Sequence, residues 1–214
     1  MKAPEKRSRQ ATETRQMGLV DAALQLAAQR SPADITTGDL ARAVGITQGA
    51  VFRHFASKEA IWLAVLDWTA DTLIAQLQHA AAGTGGHTPD PLASLQAVFN
   101  AHVDFVMAHP GVPRVIFQEL QHAQDTPLKA RVRGLMQQYR TLVMDLLQRA
   151  QALHLVAPGT DLPAAAVLFL GSVQGLVLQS LFSGQVQTMG TQASGVFSIY
   201  LRGIAVQDSA ERST

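Results

Sequence analysis

The chain has 214 residues, of which 47% are apolar and 15% are charged, and it contains no cysteine. This length allows one domain with a good core, or a small domain joined to a larger one. The missing cysteines exclude disulfides, thiolate catalysis and cysteine-ligated zinc, and they fit a cytoplasmic protein. This low fraction of charged residues indicates a large core or an obligate oligomer. The N-terminal residues lack an apolar stretch behind their charges, so we expect no secretory signal.

The net charge of +1 hides an asymmetry along the chain. Residues 1–58 hold nine Lys and Arg against five Asp and Glu, whereas the remainder holds eight against eleven. A basic front and an acidic rear predict an anionic partner for the front only.

The front of the chain is predicted to form four helices. Residues 1–11 are polar and basic, and we expect them to form a disordered arm. A capping signal, Thr36 followed by Asp39, predicts a helix start, and Gly45 predicts a left-handed stop. Ser57 is the predicted cap of the fourth helix. The predicted helices cover about 12–30, 37–44, 48–54 and 58–80.

The rear is also predicted to be helical, because apolar residues recur at helical spacing and no sustained period-2 alternation occurs. Gly83–Pro91 is the clearest loop, and the tail 208–214 is expected to be disordered. The predicted helices cover about 91–109, 112–122, 126–154, 162–183 and 189–206. The expected fold class is therefore all-α, with a helix-turn-helix domain at 12–58 and a second helical domain at 59–207.

The third helix presents an unusual face to the outside. Two short helices joined through Gly45-Ile46-Thr47 form a predicted helix-turn-helix. On a wheel of the third helix, Val51 and Phe55 mark the core direction, and the opposite face carries small residues and an arginine. Such a face suits a helix in the major groove of DNA, where Arg53 would read guanine with two hydrogen bonds.

Phosphate contacts are predicted around this helix. The helix N-termini offer free backbone N–H groups to phosphate, and Lys58 and Arg15 add positive charge. Phe52 and His54 would meet the walls of the groove. A short amphipathic helix with a solvated arginine is the alternative, since helix-turn-helix geometry also occurs in bundles that do not bind DNA. The predicted DNA-binding residues are Arg15, Thr36, Thr37, Thr47, Gln48, Gly49, Ala50, Phe52, Arg53, His54 and Lys58.

The segment Ile35–Leu66, "ITTGDLARAVGITQGAVFRHFASKEAIWLAVL", resembles the DNA-binding domain of tetracycline-repressor (TetR) family regulators. The resemblance extends back through "TRQMGLVDAALQLAAQR" and covers about a quarter of the chain. It implies a second helical domain that dimerises and holds an inducer. Phe52, Ala50 and Gln48 depart from the residues most common in the family at those positions, which bears on individual phosphate contacts and not on the fold.

The helix predicted at 162–183 is apolar nearly all round, as in a membrane span or a helix buried against partners. Ser172, Gln174 and Gln179 interrupt it, and neither a basic cluster nor an aromatic belt flanks it, so we favour burial in a soluble homodimer without a membrane. The predicted dimer contacts, on this helix and the last one, are Gly171, Gly175, Phe182, Phe197, Tyr200 and Leu201.

Polar residues within apolar helices are the candidates for a small-molecule site, although each is also explained as an ordinary core or surface residue. His102 and His109 share a helix face, but carboxylates at ligand spacing are few, and no metal is predicted. The candidate ligand-binding residues are Trp62, His102, Phe105, Phe117, Gln118, Tyr139, Gln174 and Leu178.

These patterns favour a ligand-responsive transcriptional regulator that binds an inverted-repeat operator in double-stranded DNA as a homodimer. In this hypothesis the regulator represses, and a small hydrophobic effector releases it. An architectural or partner-binding protein without an effector is the alternative. The sequence has no metalloprotease, nucleophile-elbow or phosphate-loop motif, so we expect neither an enzyme nor a cofactor.

Overall fold

The computed structural model describes residues 4–83 and 90–206, with side chains from residue 12 onward. Within these ranges the chain is helical, and the only extended pairing is one antiparallel bridge between Val156 and Ala205. This confirms the predicted all-α class. The helices are α1 (Pro4–Gln29), α2 (Thr37–Ala43), α3 (Gln48–Val51), α4 (Lys58–Ala82), α5 (Pro91–Ala108), α6 (Gly111–Leu120), α7 (Pro127–Ala152), α8 (Leu162–Ser183) and α9 (Thr188–Ile204).

Most helix boundaries agree with the sequence signals, and α8 covers the predicted residues. Two differ. Helix α1 begins at Pro4, so residues 4–11 are helical where we expected a disordered arm. Proline is compatible with a first helical position, and Lys, Arg, Gln and Glu all propagate helices well. Helix α3 ends at Val51, and residues 52–54 continue as a tighter turn in which the His54 N–H donates to the Val51 carbonyl at 2.9 Å. The predicted disordered tail and most of the predicted Gly83–Pro91 loop lie outside the described residues.

The helices form two compact units. The first combines the residues up to Asp71 with His109–Gly134, and the second combines Thr72–Ala108 with the residues from Leu135 onward. The predicted domain boundary at residue 58 therefore misses α6, which packs against α1 in the first unit. Its apolar face and the close backbone approach at Gly111 place it there.

The first unit has a core between α1, α2, α3 and α6. Leu19, Ala23, Ile35, Leu40 and Val51 are all fully or almost fully buried. Gly45 ends α2 in the left-handed region, with φ of 67°, as predicted, and the Ile46 N–H donates to the Ala41 carbonyl at 2.9 Å. Since an L side chain is strained at positive φ, glycine suits this turn.

The second unit has an aromatic core. Helices α5, α8 and α9 pack against one another. The rings of Phe99 and Phe169 meet edge-on at 5.5 Å, and Phe197 contacts both. Edge-on rings gain a specific attraction in addition to the area that they bury.

Two helices, α4 and α8, are long and apolar enough to span a membrane by length and composition alone. The core helices of soluble proteins pass the same test, and a substantial part of each helix is buried inside the protein.

Candidate nucleic-acid interface and effector site

Side-chain caps hold the two helices of the helix-turn-helix. Thr36 caps α2 with a complete capping box, in which the Asp39 N–H donates to Thr36 Oγ1 at 3.1 Å and the Thr36 N–H donates to Asp39 Oδ2 at 2.9 Å. Thr47 caps α3, where its Oγ1 accepts from the Ala50 N–H at 3.2 Å. Each cap satisfies a backbone donor that the helix itself leaves unpaired. The predicted capping signal at Thr36 is confirmed.

Asp39 joins this turn to two arginines. Its carboxylate lies 3.0 Å from Arg30 Nη2 and 3.2 Å from Arg42 Nη1. Hydrogen bonds from the Thr36 backbone and hydroxyl, and then the pair with Arg30, hold the pKa of Asp39 well below its usual range. Asp39 is therefore ionised throughout the physiological pH range, and it ties the end of α1 to the start of α2.

Two further bonds connect α3 to its neighbours. Gln48 Nε2 donates to Thr37 Oγ1 on α2 at 2.8 Å, and Gln16 Nε2 on α1 donates to the His54 carbonyl at 3.0 Å. The bond to Thr37 is partly buried, since Thr37 is buried and Gln48 is exposed. The orientation of a helix of only four residues is thus set by contacts to both α1 and α2.

The outward side chains are small at the start of α3 and long in the turn that follows it. A Cβ placed on Gly49 would meet nothing within 4 Å. Gly49 and Arg53 are exposed, and the side chain of Phe52 is 49% exposed. Gly49 and Arg53 therefore lie at the surface, as the helical wheel predicts, whereas Ala50 is half-buried. His54 is half-buried, and its Nδ1 is enclosed with no hydrogen-bond partner among the described residues, so only Nε2 is placed to reach a ligand.

Three predicted DNA contacts have other roles in this structure. Thr37 is buried and accepts from Gln48, so it supports α3 and does not face outward. Thr36 Oγ1 is engaged with Asp39. The ammonium group of Lys58 donates to the Ala33 carbonyl at 2.9 Å, which leaves two of its three protons for a phosphate. Sequence reasoning could not foresee the bond to Ala33, because it joins residues 25 apart.

This geometry agrees with comparisons to known proteins. Residues 19–65 match the family model described as "Bacterial regulatory proteins, tetR family". The predicted resemblance to tetracycline-repressor (TetR) family regulators is confirmed over these residues.

Two solved structures resemble this chain over most of its length. A TetR transcriptional regulator from Chloroflexus aurantiacus superposes with a TM-score of 0.76 at 20% identity, covering 93% of this chain and 100% of the other. A transcriptional regulator FadR from Bacillus subtilis, in complex with stearoyl-CoA, gives 0.73 at 16% identity, covering 88% and 98%. At these identities the likeness establishes the fold.

The curated relatives of this chain include the nucleoid occlusion factor SlmA of Alteromonas mediterranea. It is 25% identical over 114 residues, which cover 53% of this chain and 56% of the relative. The match therefore spans about half the length of that relative.

The effector candidates fall into separate groups. Trp62, Phe117 and Gln118 belong to the first unit, whereas the others belong to the second. Within the second unit, the structure brings His102 and Tyr139 together, with His102 Nδ1 at 3.2 Å from Tyr139 Oη. Phe105 is buried.

Gln174 and Leu178 are exposed on α8. Residues that line an internal site face the core of their unit, and these two do not. Gln174 Nε2 lies 3.8 Å from Met136 Sδ. The sequence could not separate the faces of α8, because the helix is apolar on every side. Among the described residues, no three His, Asp or Glu side chains gather as a metal site would need.

The dimer prediction needs a correction at two positions. Phe197 and Tyr200 are 1% and 3% exposed, and both pack on Phe169 inside the second unit. They therefore belong to the core of the protomer. Gly171, Gly175 and Phe182 are exposed, and Leu201 is half-buried. Phe169, which sequence reasoning missed, shares the buried side of α8 with Val173 and Leu176 at helical spacing.

The exposed side of α8 is an apolar stripe. Its large members are Val167, Leu168, Leu178 and Phe182, of which Phe182 is 75% exposed, and Gly171 and Gly175 lie among them. On α9, Ile199 is 65% exposed, with Gly195 and Gly203 exposed on the same helix. Large apolar residues that share one exposed face, interspersed with glycines, are typical of a surface that another helix covers.

Proposed function

We propose that this chain is a dimeric, ligand-responsive transcriptional repressor that acts in the cytoplasm. In this proposal the dimer binds an inverted-repeat operator in double-stranded DNA, and a small hydrophobic effector releases it. The observation that carries the proposal is the outward face of α3. There Gly49 is exposed on α3 and Arg53 is exposed in the turn that follows it, and α3 is held by the Thr47 cap and by the bond from Gln48 to Thr37.

The face of α3 fits the major groove by shape and by charge. Gly49 has no side chain to keep the backbone away from the base edges, and Arg53 is long enough to donate two hydrogen bonds to guanine O6 and N7. Lys58, at the start of α4, and Arg15, exposed on α1, supply sequence-independent attraction to phosphates. Phe52 would pack against sugar or a thymine methyl group.

Dimerisation follows from the apolar stripe of α8 and the exposed side of α9. In a homodimer the same stripe on two copies would meet around a twofold axis and form a four-helix interface. Gly171, Gly175 and Gly195 would allow the helix backbones to come close. Two recognition helices related by this axis would require half-sites that are inverted and about one helical turn apart.

Effector control requires that DNA binding and effector binding be coupled. By linkage, an effector that weakens operator binding must itself bind more weakly, by the same factor, when operator is present. Helix α6 is suited to transmit such a change, because it packs on α1 within the unit that carries α3.

A second candidate is an architectural or partner-binding DNA-binding protein without a small-molecule effector. It is favoured by the match to relatives named nucleoid occlusion factor SlmA. The helix-turn-helix would then still bind DNA, while the apolar stripe of α8 would bind other proteins.

Selection of bound sequences from a random duplex pool, with purified full-length protein at near-physiological salt, tests the proposal. An enriched inverted repeat with half-sites about one helical turn apart is expected. Weak, salt-sensitive binding without enrichment would contradict the proposal and favour the second candidate.

A further inference from the structure

The interior of the second unit contains polar groups but no buried charged side chain among the described residues. The acidic residues of its described part, and Arg140 and Arg202, are exposed, and Arg149 lies partly exposed with Asp145 3.8 Å away. The buried hydroxyls of Ser94 and Ser180 are satisfied by the carbonyls of Ala81 and Val177. The aromatic core adds three further polar groups.

One of these is the hydroxyl of Tyr200. The residue is 3% exposed, its ring packs on Phe169 and Phe197, and no described residue lies within hydrogen-bonding distance of Oη. Burial raises the pKa of Tyr200, so the hydroxyl keeps its proton. A buried hydroxyl without a partner costs about 1–3 kcal/mol, and such groups in native proteins usually have a specific reason.

The other two polar groups form the pair of His102 and Tyr139. Tyr139 is fully buried, and its ring also meets Phe169 edge-on, so the pair belongs to the same cluster as Tyr200. Burial lowers the pKa of His102 to about 4, and the imidazole is therefore neutral near pH 7. In either neutral tautomer, one proton of the pair is used in the 3.2 Å bond between His102 Nδ1 and Tyr139 Oη. One proton remains to be donated, from His102 Nε2 or from Tyr139 Oη.

We infer that the effector is an uncharged, largely apolar molecule that carries an oxygen acceptor, and that the Tyr200 hydroxyl donates to this oxygen within the aromatic cluster of the second unit. The pair of His102 and Tyr139 offers a second donor to the same class of molecule. This inference rests on the proposed ligand-responsive function, and it adds the chemical class and the anchoring residue.

Because the aromatic cluster contains no charged side chain, it does not suit a charged effector group. A carboxylate or an ammonium group brought among these rings would lose its hydration and find no opposite charge. A ketone or alcohol loses far less hydration free energy, and it gains a hydrogen bond from the Tyr200 hydroxyl, which otherwise has no partner. Acids and amines would have to keep their charged group outside the cluster.

Isothermal titration calorimetry of the full-length protein with four ten-carbon probes tests this assignment. The probes are 2-decanone, 1-decanol, decanoate and decyltrimethylammonium, each below its micelle concentration at pH 7.4. The two neutral probes are expected to bind at least tenfold more tightly than the two ions. Equal or tighter binding of either ion, or binding of none of the four, would overturn the inference.

The variant Tyr200→Phe separates a ligand contact from a structural role. It keeps the ring and removes the hydroxyl, so the affinity for 2-decanone should fall about fivefold. Because an unpaired polar group is removed, the midpoint of thermal unfolding without ligand should stay or rise. Ser180→Ala is the matched control, since it removes a buried hydroxyl that is already satisfied, and it should leave the 2-decanone affinity unchanged.

An unchanged affinity in Tyr200→Phe would overturn the role of the hydroxyl. The DNA selection described above is independent of these probes. Failure to enrich an operator would refute the proposed function even if the neutral probes bind, whereas enrichment with no preference for neutral probes would refute the effector class alone.

Discussion

Gly111, at the start of α6, lies directly against the backbone of Leu24 in α1. A Cβ at position 111 would overlap the Leu24 carbonyl oxygen and would lie 3.0 Å from the Ala28 backbone nitrogen. Both obstacles are main-chain atoms of a helix, so they cannot move aside as the end of a side chain can. The two helices therefore pack at a distance that only glycine permits.

Gly111→Ala is accordingly expected to lower the free energy of unfolding by about 1–3 kcal/mol, because α6 must separate from α1. Urea unfolding followed by tryptophan fluorescence measures this. Gly18→Ala is the control, because Gly18 is a helical glycine of α1 with nothing within 4 Å of an added Cβ. That change should be neutral or stabilising by up to about 1 kcal/mol. Equal effects of the two substitutions would contradict the close packing.

Arg53→Ala should weaken binding to a selected operator by about 1–3 kcal/mol and relax the preference at one base pair of each half-site. The reason is the loss of two hydrogen bonds to a single guanine, while the phosphate contacts remain. Competition binding with selected and random duplexes measures both effects. Arg140→Ala removes an exposed arginine of the second unit and should bind as wild type does. A uniform loss on all sequences would reassign Arg53 to phosphate.

Lys58→Ala should weaken binding to all sequences and reduce the slope of log K against log salt by about one. Its ammonium group already donates to the Ala33 carbonyl, which positions it at the surface that we propose faces DNA. Lys129 is a close match, since its Nζ donates to the His122 carbonyl at 2.8 Å. Lys129→Ala should keep the slope of wild type. An unchanged slope in Lys58→Ala would remove this residue from the phosphate contacts.

Phe182→Glu should raise the dimer dissociation constant by at least tenfold, or about 1.4 kcal/mol. The substitution places a charge at the C-terminal end of the apolar stripe that we propose is covered by a second copy. Sedimentation velocity over a range of concentrations measures the shift. Leu153→Glu is the control, since Leu153 is 60% exposed but lies after the end of α7 and outside the apolar stripe of α8. Dissociation in both variants, or in neither, would argue against this interface.

Asp39 makes the stability of the first unit sensitive to acid. Its pKa is lower in the folded chain than its ordinary value of 3.8, so its contribution is fully present above that value. The contribution is lost progressively as the pH falls below about 4 towards the lower, folded-state pKa. The difference in unfolding free energy between wild type and Asp39→Asn should therefore be largest at pH 7 and shrink from pH 4 to pH 2.

Urea unfolding at pH 7, 4 and 2.5 measures this difference. Asp34→Asn changes an exposed acid of the neighbouring 3-10 turn, and its difference from wild type should be small at each pH. If the difference in unfolding free energy between wild type and Asp39→Asn stays constant with pH, the charge of the carboxylate does not contribute to stability.

The local rules of helices determined much of this protein in advance. Thr36 with Asp39, Thr47, Gly45 and Asp161 are cap and stop residues that act on backbone atoms only a few positions away, so their effect can be read without the tertiary structure. The outward position of Arg53 is local in the same sense, because it depends on the turn that continues directly from the buried Val51 at the end of α3.

Only the tertiary structure decided which side of an apolar helix is inside. Helix α8 is apolar all round, so its sequence cannot distinguish Phe169 in the core from Phe182 at the surface. The same holds for Tyr200, whose burial depends on Phe169 and Phe197 packing around it, and for the close approach of Gly111 to Leu24. These contacts join residues distant in sequence, and hydrophobic burial has no direction of its own until the partner surfaces are in place.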